Sequence, residues 1–118
     1  MIRSLDSISQ NLGYYTRNNF GDTPLHIAAT YGRLEIVQLI IKNAVEKNPV
    51  NDFGNTPLHL AATHGHLEVS RLILKNTSDC SPENNFGKTP LEFARKNGHT
   101  EVCKFWKNKI HSLNVCSL

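Results

Sequence analysis

The chain has 118 residues, 39% hydrophobic and 19% charged, with a formal charge of +3. That length makes one domain, able to bury roughly two-thirds of the surface its unfolded form exposes, and the composition is globular rather than disordered. The charge is far below the basic excess of a dedicated nucleic-acid binder. The longest apolar runs, Leu39-Ile40-Ile41 and Leu72-Ile73-Leu74, are too short to span a bilayer.

In chain order, Met1 to Asp6 lack the apolar stretch of a secretory signal. Leu5, Ile8 and Leu12 then recur at helical spacing, which predicts one amphipathic helix covering the unit that follows, with Gly13-Tyr14-Tyr15 leading into its first hairpin. Asn18-Asn19-Phe20-Gly21 comes next as turn chemistry, with Gly available for a positive φ. Thr23 stands where a helix N-cap belongs, and Pro24 suits the first helical position because its missing N–H would be unpaired there anyway. A helix of about eight residues should end at Gly32. A second begins near Leu34, with Glu35 placed against the positive end of its dipole. Leu34, Ile36, Val37, Leu39, Ile40 and Ile41 are apolar over more than one stripe, so the sequence predicts packing on both flanks of this helix.

The whole unit then returns. Gly21, Gly54 and Gly87 are spaced by 33 residues, as are Gly32, Gly65 and Gly98, Glu35, Glu68 and Glu101, and Ala28, Ala61 and Ala94. A lone pair of short helices would be marginal, whereas each Leu or Ile buried between neighbours contributes roughly 1.5–3 kcal/mol. The stack is therefore the stable unit.

Thr23-Pro24-Leu25-His26-Ile27-Ala28 and Thr56-Pro57-Leu58-His59-Leu60-Ala61, at this period, resemble ankyrin repeats. Thr89-Pro90-Leu91-Glu92-Phe93-Ala94 departs at the His position. The resemblance covers about residues 17–110. It implies an all-α solenoid of stacked helix-turn-helix units joined by β-hairpin-like turns. The expected organisation is a capping segment at 1–16, repeats at 17–49, 50–82 and 83–110, and a tail at 111–118. The third repeat reads as the C-terminal cap: Arg95 replaces Ala29 and Ala62, Lys107 replaces Ile41 and Leu74, and Phe105 and Trp106 close the core end.

Candidate chemistry is sparse. Cys80, Cys103 and Cys116 are odd in number and lack CxxC spacing, so they read as free thiols in a reducing compartment, and Cys103 aligns with core positions Val37 and Ser70. In that compartment the Asn76-Thr77-Ser78 sequon would go unused. His26 and His59 are expected to hydrogen-bond backbone near the caps and to link adjacent turns. His64-Gly65-His66 looks like a ligand pair, but a helix-ending Gly65 predicts that the two side chains diverge, and no third ligand is placed. No nucleophile sits beside a base at motif spacing and no Gly-rich phosphate loop follows a strand. The sequence therefore predicts no enzyme, no cofactor, no metal and no small-molecule substrate.

Recognition remains. By the resemblance, a partner protein is bound through the hairpin tips and the concave side of the first helices. Those positions are Asn19, Phe20, Asp22, Thr30 and Tyr31; Asp52, Phe53, Asn55, Thr63 and His64; and Asn85, Phe86, Lys88, Lys96 and Asn97. Tyr31, His64 and Asn97 differ among otherwise matching copies, as a tuned face would. Phe20, Phe53 and Phe86 do not differ, and two readings stand: an exposed anchor stripe, or rings packed on the neighbouring hairpin. The expected protein is a monomeric adaptor or scaffold, or the recognition piece of a larger protein, in cytoplasm or nucleus. Residues 88–109 carry six basic and two acidic residues, against seven and eight in 1–87. The alternative function is thus weak electrostatic binding of nucleic acid or acidic lipid at the basic end.

Overall fold

Three copies of one local sequence give three copies of one local structure. The computed structural model describes residues 16–44, 46–79 and 81–113; the capping segment expected at 1–16, except Thr16, lies outside them, as do Cys80, Cys116 and the tail beyond Leu113. Its helices are α1 Pro24–Thr30, α2 Leu34–Asn43, α3 Pro57–Thr63, α4 Leu67–Asn76, α5 Pro90–Lys96 and α6 Thr100–Leu113. No strand occurs among the described residues. The final helix runs on past the expected repeat boundary at 110 to Leu113.

The caps explain the boundaries. Thr23 Oγ1 accepts the His26 backbone N–H, and His26 Nδ1 in return accepts the Thr23 N–H at 3.1 Å. Thr56 and His59 repeat the arrangement. Imidazole here plays the reciprocal part usually taken by Glu or Gln in a capping box. Pro24, Pro57 and Pro90 open the first helices. Each of these helices stops at a glycine with φ between +68° and +75°, a conformation that side chains with a Cβ resist.

Helices α1, α3 and α5 pack side by side as one layer, α2, α4 and α6 as a second, and the two helices of each repeat pack against each other. The core lies between the layers: Leu25 and Leu58 from the first, Val37, Ile40, Val69, Ile73, Val102 and Trp106 from the second. Trp106 is fully buried and closes the end of this core, with Phe105 packed against it and the Arg71 guanidinium carbon 4.9 Å from the Phe105 ring centroid. Arg95 and Lys107 are exposed where Ala29, Ala62, Ile41 and Leu74 are buried. The third repeat turns charge to the side that no described repeat covers.

One expectation needs correction. Among the described residues, packing on both flanks of the second helix holds for α4 alone: α6 has a second-layer neighbour only before it, and α2 only after it, which leaves Ile36 and Leu39 exposed. Ile36 is 49% exposed while its counterparts Val69 and Val102 are 2% and 1% exposed. Each counterpart has a repeat before it. No described segment precedes the first repeat.

Candidate functional site

The tips are built by asparagine. Asn18 Oδ1 accepts the N–H groups of Phe20 and Asp22, Asn51 Oδ1 those of Phe53 and Asn55, and Asn84 Oδ1 those of Phe86 and Lys88. Each side chain thus fixes its own turn, the local bonding that suits Asn to such positions. Tip is then tied to tip. The Asp52 N–H donates to Phe20 O and the Asn85 N–H to Phe53 O, both at 3.0 Å. Asn51 Nδ2 donates to Asp22 Oδ1 at 2.8 Å, and Asn84 Nδ2 to Asn55 Oδ1 at 2.9 Å.

Two histidine ladders stiffen the same joints. His26 Nε2 donates to Asn55 O at 2.7 Å and His59 Nε2 to Lys88 O at 2.8 Å. Because Nδ1 accepts a backbone N–H in both, the rings are held as the neutral Nε2–H tautomer. Burial pushes both below the ordinary value of 6.5, against a smaller raising effect of the carbonyls they face. Further along, His66 Nε2 donates to Thr30 O and His99 Nε2 to Thr63 O.

The His66 bond overturns the expected divergence of His64 and His66. The tie to Thr30 turns the His66 ring back beside His64, with centroids 6.3 Å apart and planes 27° from parallel. Among the described residues no group of three His, Cys, Asp or Glu is placed to hold a metal ion.

The fifteen residues singled out from the sequence divide into two kinds. Asp22, Thr30, Asn55 and Thr63 are half-buried and bonded within the stack, Thr30 and Thr63 through their hydroxyls to the His26 and His59 carbonyls. The other eleven are exposed. Among these, Asn85 Nδ2 donates to Asp52 O, Asn97 Nδ2 to Phe93 O, and the Lys88 ammonium lies 3.8 Å from Glu92. Phe20, Phe53 and Phe86 are 58%, 43% and 69% exposed, one per tip. Tyr31, His64 and Asn97 cap the first helices with nearly the same backbone geometry, φ −97°, −100° and −93°. The scaffold thus presents an aromatic row at the tips and a second row of three different side chains at the helix ends.

One feature is not legible in the repeat pattern. An open groove of about 650 Å³ lies on the leading side of the first repeat, lined by Arg17, Pro24, Ile27, Ala28, Tyr31 and Ile36 among others. Its signal lies only in asking which repeat has no predecessor. A cleft of about 330 Å³ at the other end is lined by Lys88, Glu92, Phe93, Arg95 and Lys96.

A family model described as Ankyrin repeats (3 copies) matches residues 3–85 and 44–115. No curated protein matches the chain. No helix among the described residues is long and apolar enough to cross a membrane. With the matched spans reaching almost from end to end and the three cap-helix-glycine-helix units stacked in register, the chain belongs to the ankyrin repeat family.

Proposed function

We propose that this chain is a non-enzymatic recognition module, an adaptor or the recognition domain of a larger protein, working as a monomer inside the cell. Ankyrin repeats are in general protein–protein interaction modules. In this reading 17–49, 50–82 and 83–110 are the repeats, and the partner lies across the tips and the ends of the first helices. The observation that carries it is the contrast within each repeat. Residues that hold the stack are repeated and buried, whereas Tyr31, His64 and Asn97 share one backbone position, are exposed and differ. The exposed Phe20, Phe53 and Phe86 supply the aromatic anchors that interfaces favour, and three repeats offer about 800 Å² to a partner, the size of a specific interface.

The test is parallel capture by the wild type and by Tyr31→Ala/His64→Ala, with thermal melting of both. Partner binding should weaken about tenfold or more, as for hot-spot truncations worth over 1 kcal/mol each, with the melting temperature nearly unchanged. Unchanged binding with a lowered melting temperature would move both residues into the scaffold. The second reading, acidic lipid or nucleic acid at the basic end, draws on exposed Arg95, Lys96, Lys104 and Lys107. It requires binding that collapses as salt rises and survives the Tyr31/His64 change.

A further inference from the structure

We propose that the cleft on the trailing side of the third repeat takes an acidic peptide segment of the partner, held by carboxylate contacts to Lys88, Arg95 and Lys96 and by a backbone N–H given to Phe86 O. This rests on the recognition reading and names the partner's chemistry at one end of the face. The cleft, of about 330 Å³, is walled by Lys88, Glu92, Arg95 and Lys96 around Phe93.

Each repeat offers the next one a fixed set of groups. Phe20 O and Phe53 O accept the N–H of the following tip, and the side chains of Asp22 and Asn55 accept from the following asparagine. The neighbour comes so close that a Cβ on Gly54 or Gly65 would overlap it. At the same places in the third repeat the space is open: a Cβ on Gly87 or Gly98 would meet nothing within 4 Å. The backbone acceptor is kept, since Phe86 O receives no backbone N–H among the described residues. The side chains are not kept. Lys88 stands at the register of Asp22 and Asn55, Arg95 at that of Ala29 and Ala62, and Lys96 at that of Thr30 and Thr63. All three are exposed. Where a further repeat would find acceptors and small side chains, an occupant of this flank finds cations.

Charge selects the occupant. Facing water requires only polar groups, and a solvated surface ordinarily mixes signs. Here three of the four polar register changes lining the cleft bring positive charge, and the fourth, Glu92, lies 3.8 Å from the Lys88 ammonium. Arg95 and Lys96 make no ion pair among the described residues. A phosphate backbone carries acceptors only, which leaves Phe86 O without a donor and sets like charge against Glu92. A peptide brings carboxylates for Arg95 and Lys96, an N–H for Phe86 O and an apolar side chain for the Phe93 ring. Exposed ion pairs are individually weak and screened by salt, so binding draws on several at once.

The probe is a fluorescein-labelled peptide with one leucine between two runs of three glutamates, its binding to the full chain followed by anisotropy at low salt. Arg95→Ala/Lys96→Ala should weaken binding about fivefold or more. Lys42→Ala/Lys75→Ala removes the same charge from exposed positions elsewhere and should change it less than about twofold. Both chains should keep the wild-type melting temperature. Glutamine in place of glutamate should abolish binding, and N-methylation of the peptide backbone, which removes its N–H donors, should weaken it. Equal losses in the two double variants would overturn the proposal, because the attraction would then be diffuse. So would N-methylation without effect, or tighter binding of a seven-residue oligothymidylate or of phosphatidylserine vesicles, which would assign this end to phosphate. A peptide that does not bind sinks this proposal alone, since the capture test at Tyr31 and His64 is read on other residues.

Discussion

The middle repeat and the last repeat share one backbone plan and differ wherever the middle one reaches forward. His59 donates to Lys88 O, and its ring meets Phe93 edge-on at 5.6 Å. At the same register the third repeat has Glu92, which meets no carbonyl of a further repeat among the described residues; its carboxylate lies near the Thr89 hydroxyl and the Lys88 ammonium instead. Ala62 is buried against a following repeat, Arg95 is exposed, and Leu74 gives way to Lys107 in the same way. Each of these departures of the third copy from the repeat pattern coincides with the loss of a forward neighbour. Stability in such a stack resides in its joints as much as in its units.

The largest test of this contrast is a core truncation. Leu58 is buried with repeats on both sides, so Leu58→Ala should cost about 2–5 kcal/mol in chemical unfolding. Leu91, its counterpart, is only half-buried, and Leu91→Ala should cost clearly less. Equal losses would mean that burial within a repeat, not between repeats, sets the stability.

A second pair isolates a single joint. Gly65 and Gly98 have φ of +73° and +75°, so alanine is strained at both by about 1–2 kcal/mol. A Cβ at Gly65 would lie 2.5 Å from His99 Nδ1, whereas at Gly98 it would meet nothing within 4 Å. Gly65→Ala must push the imidazole off its bond to Thr63 O, adding roughly 0.5–1.5 kcal/mol. If the two variants melt together, the His99 bond contributes nothing to the joint.

Much of this is legible in the sequence because a repeat states its rules three times. The caps at Thr23, Thr56 and Thr89, the glycine stops, and the charged trailing side marked by Arg95 and Lys107 all emerge from comparing copies. The features that escape such a comparison are set by position in the stack rather than by residue type. Ile36 looks as apolar as Val69, and only the absence of a described predecessor leaves it exposed. Local spacing predicts that His64 and His66 diverge across Gly65, because a bond from His66 to a carbonyl thirty-six residues earlier is not written in that spacing. Of the binding face, the exposed rows can be named from the sequence. The inward bonds of Asp22, Asn55, Thr30 and Thr63 become visible only with the coordinates.

The smallest expected effect bears on the forward-reaching histidines. His26 and His59 are buried and neutral, with burial holding both below 6.5 in the fold, while in the unfolded chain they regain the ordinary value. As pH falls through about 6.5 the unfolded chain takes up protons that the folded one refuses, so stability falls with acidification. The contribution is complete above the ordinary histidine value and is lost progressively below it. Carboxylates, which titrate near 4, leave the window from about pH 7.5 to 5.5 largely to histidine. The melting temperature should decline across that window, and the decline should flatten in His26→Gln/His59→Gln, whose side chains keep a hydrogen-bond donor but cannot be protonated. Glu92→His supplies the opposing control. That position is only half-buried, so a histidine there is desolvated less than His59 and should not steepen the decline. A steeper slope in that variant would show that burial at the cap alone, without a forward neighbour, is enough to couple the stack to pH.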